Sequence, residues 1–201
     1  MVTFLVTGGI GSGKSAVSEI LRSEGIPVYD SDSAARRLYG ESEALRRALA
    51  SAYGPGILTP HGADIAALAR RAFSSPREIS DLNALVHPAV MDDFKSWRDS
   101  LGDVPFCAME SAVALSSPVF KDFFDFTIIV QAPEEERIRR VCARTPGMTP
   151  EKVVERMALQ DHGPVPEPYA VIENDSDFDS LRQRTQSALN LLYLHFEQKQ
   201  Y

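Results

Sequence analysis

Cysteine is scarce. The chain carries two, Cys107 and Cys142, too few and too far apart for a disulfide framework or a thiolate metal site. A reduced, cytoplasmic chain is the expectation. Long apolar runs are missing too. No stretch approaches the roughly 20 residues that cross a bilayer, and the short apolar start runs straight into glycines, unlike a secretory leader. No membrane partner is expected. Positive charge is outnumbered, 21 Lys plus Arg against 28 Asp plus Glu, for a net charge of −7. Without a basic excess a surface does not replace counterions along a nucleic acid, so nucleic-acid binding is not expected. An acidic chain that binds polyanions must gather its cations in a pocket. Repeats and low-complexity tracts are absent. What remains is 201 residues with 44% apolar content, enough for one sizeable α/β core and a small inserted region.

The most informative stretch is 8–15, reading Gly8-Gly9-Ile10-Gly11-Ser12-Gly13-Lys14-Ser15. It fits the phosphate-binding pattern G-x-x-x-x-G-K-S/T without a mismatch. An apolar β-type run, Val2-Thr3-Phe4-Leu5-Val6-Thr7, leads in. A helical pattern with Val17, Ile20 and Leu21 on one face follows and stops at Gly25. Glycines let successive N–H groups converge on one anion, and the helix adds its positive end. In this pattern Lys14 faces the β- and γ-phosphates and Ser15 offers its hydroxyl to Mg²⁺.

A second run, Ile26-Pro27-Val28-Tyr29, ends at Asp30-Ser31-Asp32. Ligands of open parallel sheets bind beyond the strands' carboxyl ends, where Asp30 and Asp32 fall. The other reading makes Asp32 or Ser33 the cap of a helix over 34–39. Residues 34–101 read as almost entirely helical, with turns at Gly40, at 54–56 and at 59–62. Leu85, Val86, Val90, Phe94, Trp97 and Leu101 recur at helical spacing. So much helix between two strands exceeds a crossover, and the region is read as a substrate-binding insertion. His87, on its own, reads as a packing residue more readily than a catalytic one.

Strands are predicted at 105–109, 127–130 and 170–172. Glu110 follows the first of these. It is read either as a carboxylate that positions magnesium or contacts substrate, or as a solvated loop residue. After Ala132-Pro133 comes a helix with acids first (Glu134, Glu135, Glu136) and bases later (Arg137, Arg139, Arg140, Arg144), an order that suits the helix dipole. Arg140 and Arg144, four apart, share a face from which a lid closes over phosphates. Thr149 caps the next helix, with Pro150 in its first turn. Residues 163–168 form a proline-rich connector, and a terminal helix buries Leu181, Leu189, Leu192 and Phe196.

Together these motifs resemble the dephospho-CoA kinases, a P-loop kinase family. The 7–15 segment is similar to that family's opening. Asp30-Ser31-Asp32 with Ala35-Arg36 resembles its D-A-D-x-x-A-R stretch. Leu82-Asn83-Ala84-Leu85-Val86-His87-Pro88 resembles L-N-x-x-x-H-P, and Gln160 with Val171-Ile172-Glu173-Asn174 resembles its Q…V-I-x-N ending. The resemblance implies an α/β P-loop three-layer sandwich with a five-stranded parallel sheet. It implies a nucleotide-binding core at 1–33, 102–136 and 168–201, a helical CoA-binding region at 34–101 and a lid at 137–167. The implied reaction is ATP-dependent, Mg²⁺-assisted phosphorylation of the ribose 3′-hydroxyl of dephospho-CoA, the last step of coenzyme A synthesis.

The implied site follows the motifs. Gly9, Ile10, Gly11, Ser12, Gly13, Lys14, Ser15 and Ala16 hold ATP, with Arg144 and Asn174 beside them. Asp32 is the base, Lys14 and Arg140 stabilise the moving phosphoryl group, and Asp32, Arg36, His87 and Glu110 face the acceptor. Three segments depart from the family. Ser116 stands where its P-L-L-x-E has glutamate, Ala63-Asp64-Ile65 lacks the arginine of L-D-R, with Arg70 or Arg71 as substitutes, and Pro168-Tyr169 replaces A-D. The alternatives are a nucleoside or nucleoside-monophosphate kinase and a nucleotide-dependent regulatory switch. No oligomeric state is assigned.

Overall fold

The computed structural model describes residues 1–72, 74–160, 163–167 and 169–197. The predicted Pro168 and the end of the terminal segment, 198–201, lie outside the described residues. The chain divides into two compact units, 1–28 with 103–201, and 29–102.

The apolar run at the start forms β1 (Val2–Thr7), and the pattern after the glycines forms α1 (Lys14–Ser23). The other strands of this sheet are β2 (Val28–Asp30), β5 (Phe106–Glu110), β6 (Phe126–Gln131) and β7 (Tyr169–Glu173). Their order is β2-β5-β1-β6-β7. β1 pairs in parallel with both β5 and β6, in a register that sets Val6 beside Glu110 and Ile128. Parallel pairing brings the carboxyl ends of β1, β5, β6 and β7 to one edge, where an open α/β sheet binds its ligands.

One sheet face supplies Phe4, Val6, Ala108, Ile128, Val130 and Ile172 to the main core of the first unit. Val17, Ile20 and Leu21 of α1 pack onto it, as the spacing predicted, with Leu181, Leu189 and Leu192 of α8 (Phe178–Glu197). Phe196 packs at its margin. α6 (Glu134–Arg144) and α7 (Pro150–Ala158) pack against each other, and Thr149 caps α7 by accepting from the Lys152 N–H.

The second unit holds α2 (Ser31–Glu41), α3 (Glu43–Tyr53), α4 (Ile65–Ala72) and α5 (Pro76–Ser100). Between α3 and α4 the chain makes a hairpin of β3 (Leu58–Thr59) and β4 (Gly62–Ala63), so the region is not wholly helical. Two expectations are corrected here. Gly40 lies inside α2, not in a turn, and the backbone of Gly62 passes against it. A Cβ on Gly62, whose φ is +130, would lie 2.6 Å from the Gly40 Cα. The cap of α2 is Asp30, neither Asp32 nor Ser33. Its carboxylate accepts from the N–H groups of Asp32 and Ser33, both at 3.0 Å, and from the Ser33 hydroxyl at 2.7 Å.

Candidate active site

The glycine loop turns from β1 into α1 through Gly13, which caps the helix at φ +100. That conformation leaves the first amides of α1 directed outward at the helix's positive end. The Lys14 ammonium reaches back over the loop to the carbonyls of Gly8, at 3.0 Å, and Gly9, at 3.2 Å. Its charge is thereby held at the mouth of the loop.

Ser15 lies on the other side. Its hydroxyl donates to Glu110 Oε1 at 2.8 Å. Glu110 ends β5 and is only 9% exposed, so the solvated-loop reading does not hold. The hydroxyl of the exposed Ser15 and the buried Glu110 carboxylate, in contact, form a pair of hard oxygen donors. Among the described residues no group of three or more His, Cys, Asp or Glu is gathered for a metal. The pair fits Mg²⁺, which takes one or two protein oxygens and leaves its other positions to water and phosphate.

A second wall comes from the sheet's far edge. The Asn174 N–H donates to the Gln131 carbonyl at 2.7 Å, fixing the chain beyond β7, and its side-chain amide donates to the Ser12 carbonyl at 2.8 Å. Arg140 donates to the carbonyls of Asn174, at 3.0 Å, and Ser12, at 3.4 Å. Arg140 and Asn174 line a cavity of about 250 Å³ with Gly13, Ala16, Asp177 and Phe178. Arg144, four residues on in α6 and so on the same helix face as Arg140, is exposed in the last turn.

Two residues with no role assigned from the sequence touch the loop. Arg137 donates through Nε to the Ile10 carbonyl at 2.9 Å, and Gln160 accepts from the Ile10 N–H at 2.8 Å. Burial pulls the Arg137 guanidinium below its usual pKa. Arg137 also lines a cavity of about 350 Å³ with Gly8, Gly9, Ser12, Leu115 and Val165. In the sequence Arg137 is one base among several that suit a helix dipole. Gln160 is visible only as a member of the Q…V-I-x-N pattern.

The remaining expected residues belong to the second unit. Asp32 and Arg36 are exposed and four apart on α2, hence on one helix face. His87 lies on α5 just before the in-helix Pro88, and burial lowers its pKa from the ordinary 6.5. Asp64 caps α4 by accepting from the Ala67 N–H at 2.9 Å. Of the two substitute arginines, Arg71 is engaged with Glu78 at 3.0 Å and stacks on the Tyr53 ring. In the first unit, the Ser116 hydroxyl donates to the Val113 carbonyl at 3.0 Å, a local bond. Neither Cys107 nor Cys142 is in a disulfide. Among the described residues no helix is long and apolar enough to cross a membrane.

The family model described as Dephospho-CoA kinase matches residues 2–180. The dephospho-CoA kinase of Porphyromonas gingivalis is 42% identical over 161 residues, 80% of this chain and 78% of that protein. That of Thiobacillus denitrificans is 32% identical over 197 residues, 96% of each chain. A solved structure from Thermus thermophilus superposes with a TM-score of 0.74 at 33% identity, covering 95% of this chain and 97% of that one. The dephospho-CoA kinase structure from Campylobacter jejuni, 18% identical, shares the fold with a TM-score of 0.58, covering 94% of this chain and 96% of that one. With the phosphate loop, its Ser15–Glu110 pair and a family match over most of its length, the chain belongs to the dephospho-CoA kinase family.

Proposed function

We propose that the chain transfers the γ-phosphoryl group of ATP to the ribose 3′-hydroxyl of dephospho-CoA, giving coenzyme A and ADP. The observation that carries the chemistry is the Ser15–Glu110 contact at the end of a complete phosphate loop. It supplies an oxygen pair for the ion beside the amides that take the phosphates. Mg²⁺, when bound, draws charge from the terminal phosphates.

The protein groups have separate tasks. The amides of 9–15 and the Lys14 ammonium bind and align the triphosphate. Arg140 and Asn174 shape the wall on which the nucleoside lies, and Arg144 neutralises charge from the lid, residues 137–167. Asp32 accepts the proton of the 3′-hydroxyl as its oxygen bonds to the γ-phosphorus. The bond from that phosphorus to the bridging oxygen breaks, and ADP keeps the electron pair. The transition state is loose, so alignment and charge matter more than base strength. Arg36 and His87, within the 34–101 region, hold the acceptor. That neither Cys107 nor Cys142 is disulfide-bonded is in keeping with a reducing compartment, and we place the reaction in the cytoplasm.

The test is incubation with Mg-ATP and a panel of dephospho-CoA, nucleosides and nucleoside monophosphates, read by mass spectrometry. Phosphorylated dephospho-CoA, with the new phosphate on the 3′-oxygen, is expected. Transfer confined to nucleosides or monophosphates, or hydrolysis with no phosphorylated acceptor, would reject the assignment.

A further inference from the structure

We infer that Gln160 and Arg137 are positioning residues for phosphoryl transfer, a two-point clamp on Ile10 that holds the phosphate loop in register with the chain leaving β5. The inference rests on the nucleotide-binding reading of the loop and goes beyond it to how the loop's shape is set.

Ile10 occupies a position where the motif accepts any residue, yet both of its backbone groups are held by side chains from outside the loop. Its N–H donates to Gln160 Oε1 at 2.8 Å, and its carbonyl accepts from Arg137 Nε at 2.9 Å. The Arg137 guanidinium lies where a Cβ on Gly9 would be, so the arginine is packed onto the loop as well as bonded to it. The other end of the Gln160 amide matters as much. Nε2 donates to the Ala112 carbonyl at 3.2 Å. Ala112 lies two residues after Glu110, and Glu110 accepts from Ser15.

The contacts close a circuit from Ile10 through Gln160, Ala112 and Glu110 to Ser15. Ile10 and Ser15 of the phosphate loop are thus both tied to one short segment, 110–112, at the end of β5. An amide suits the bridging place because it carries an acceptor and a donor on one planar group. An ionised carboxylate would keep the acceptor and lose the donor. Small displacements of an aligned reacting pair cost about 100-fold in rate, so loosening this circuit slows transfer far more than it weakens the fold.

The test compares Gln160→Ala, Gln160→Glu and Arg137→Met with the parent chain. The readouts are kcat, KM for each substrate, Mg-ADP affinity by calorimetry, and thermal melts. Gln160→Ala should lower kcat by about tenfold or more, leave KM for dephospho-CoA near the parent value, and weaken Mg-ADP binding. Arg137→Met should weaken Mg-ADP in the same direction. Gln160→Glu carries the signature a structural role would not give. Its kcat relative to the parent should rise as pH falls from about 8 to about 5.5, as the carboxyl begins to gain its proton and the donor to Ala112 returns. The Gln160→Ala ratio should stay flat over that range.

A Gln160→Ala protein that melts normally and keeps its kcat within about twofold, well below the cost of misalignment, overturns the clamp. So does a flat Gln160→Glu ratio, which also decides the matter if the alanine variant does not fold. Should the parent fail to phosphorylate dephospho-CoA while Gln160→Ala still weakens Mg-ADP, the clamp stands and the acceptor assignment falls.

Discussion

In the proposed reaction, Lys14 and Asp32 meet two separate demands of phosphoryl transfer. Lys14 is held at the loop mouth by two carbonyls, so its loss removes a preorganised cation from the developing charge. Lys14→Ala should lower kcat by roughly 100- to 1000-fold and weaken Mg-ADP binding. Asp32 is exposed on α2 and does not cap it. Asp32→Asn should lower kcat by about 100-fold, the low end for a general base, with Mg-ADP affinity unchanged. Calorimetry beside single-turnover rates separates the two, and an Asp32→Asn chain with parental chemistry would remove the base assignment. Glu110→Gln tests the oxygen pair. Glutamine still accepts from Ser15 but carries no charge, so the Mg²⁺ concentration for half-maximal rate should rise by about tenfold while the melting temperature stays put. Loss of folding without a change in Mg²⁺ dependence would make Glu110 a packing residue.

The helices of the second unit are held by interactions that the sequence does not advertise. Tyr29 donates to Asp93 at 2.6 Å, and Arg37 of α2 reaches the same carboxylate at 2.5 Å. Burial and the Asp93 charge push the Tyr29 phenol well above its usual pKa, so it stays a donor. Tyr29, Phe94 and Trp97 pack ring to ring beside this network. Asp93→Asn should cost about 1–2 kcal/mol in denaturant unfolding, because a charge-assisted acceptor becomes a neutral one. It should also raise KM for dephospho-CoA, not for ATP, since α2 carries Asp32 and Arg36.

A pH effect belongs to α5. Burial depresses the folded-state pKa of His87 below 6.5. Above that value both folded and unfolded chains hold a neutral imidazole. As pH falls through it the unfolded chain takes up the proton first, so stability declines toward the folded-state pKa. Urea unfolding at about pH 7.5 and about pH 5.5 should show a larger loss for the parent than for His87→Gln. Equal losses would mean that His87 titrates as an ordinary histidine.

The same elements show what could be read in advance. Strands β1, β5, β6 and β7, helix α1 and the loop between β1 and α1 follow from local signals: apolar runs, helical spacing and glycines at fixed intervals. The cap of α2 was misplaced because Asp30, Asp32 and Ser33 are all good capping residues, and only the backbone angles choose among them. Gly40 reads as a breaker until its close neighbour Gly62 is known, and that closeness is tertiary. Arg137 and Gln160 touch Ile10 through folding alone, so no spacing rule exposes them.

At the scale of the whole chain, the phosphate loop, Glu110, Arg140 and Asn174 belong to one compact unit, while Asp32, Arg36 and His87 belong to the other. In a chain with a net charge of −7, the cations Lys14, Arg137 and Arg140 gather on the carbonyls of the phosphate loop in the first unit. The two substrates should therefore leave separable footprints. Hydrogen exchange with saturating Mg-ADP should slow amides in 8–15 and around 174–178. Dephospho-CoA alone should slow amides in α2 and in the part of α5 around His87. At about 100 times its dissociation constant, each ligand also adds about 2.7 kcal/mol of apparent stability, so local protection must be judged against any uniform rise. A nucleotide footprint confined to 31–41, with none in 8–15, would place the triphosphate on the wrong unit and undo the division of labour argued above. A dephospho-CoA footprint confined to 8–15 would do the same from the acceptor's side.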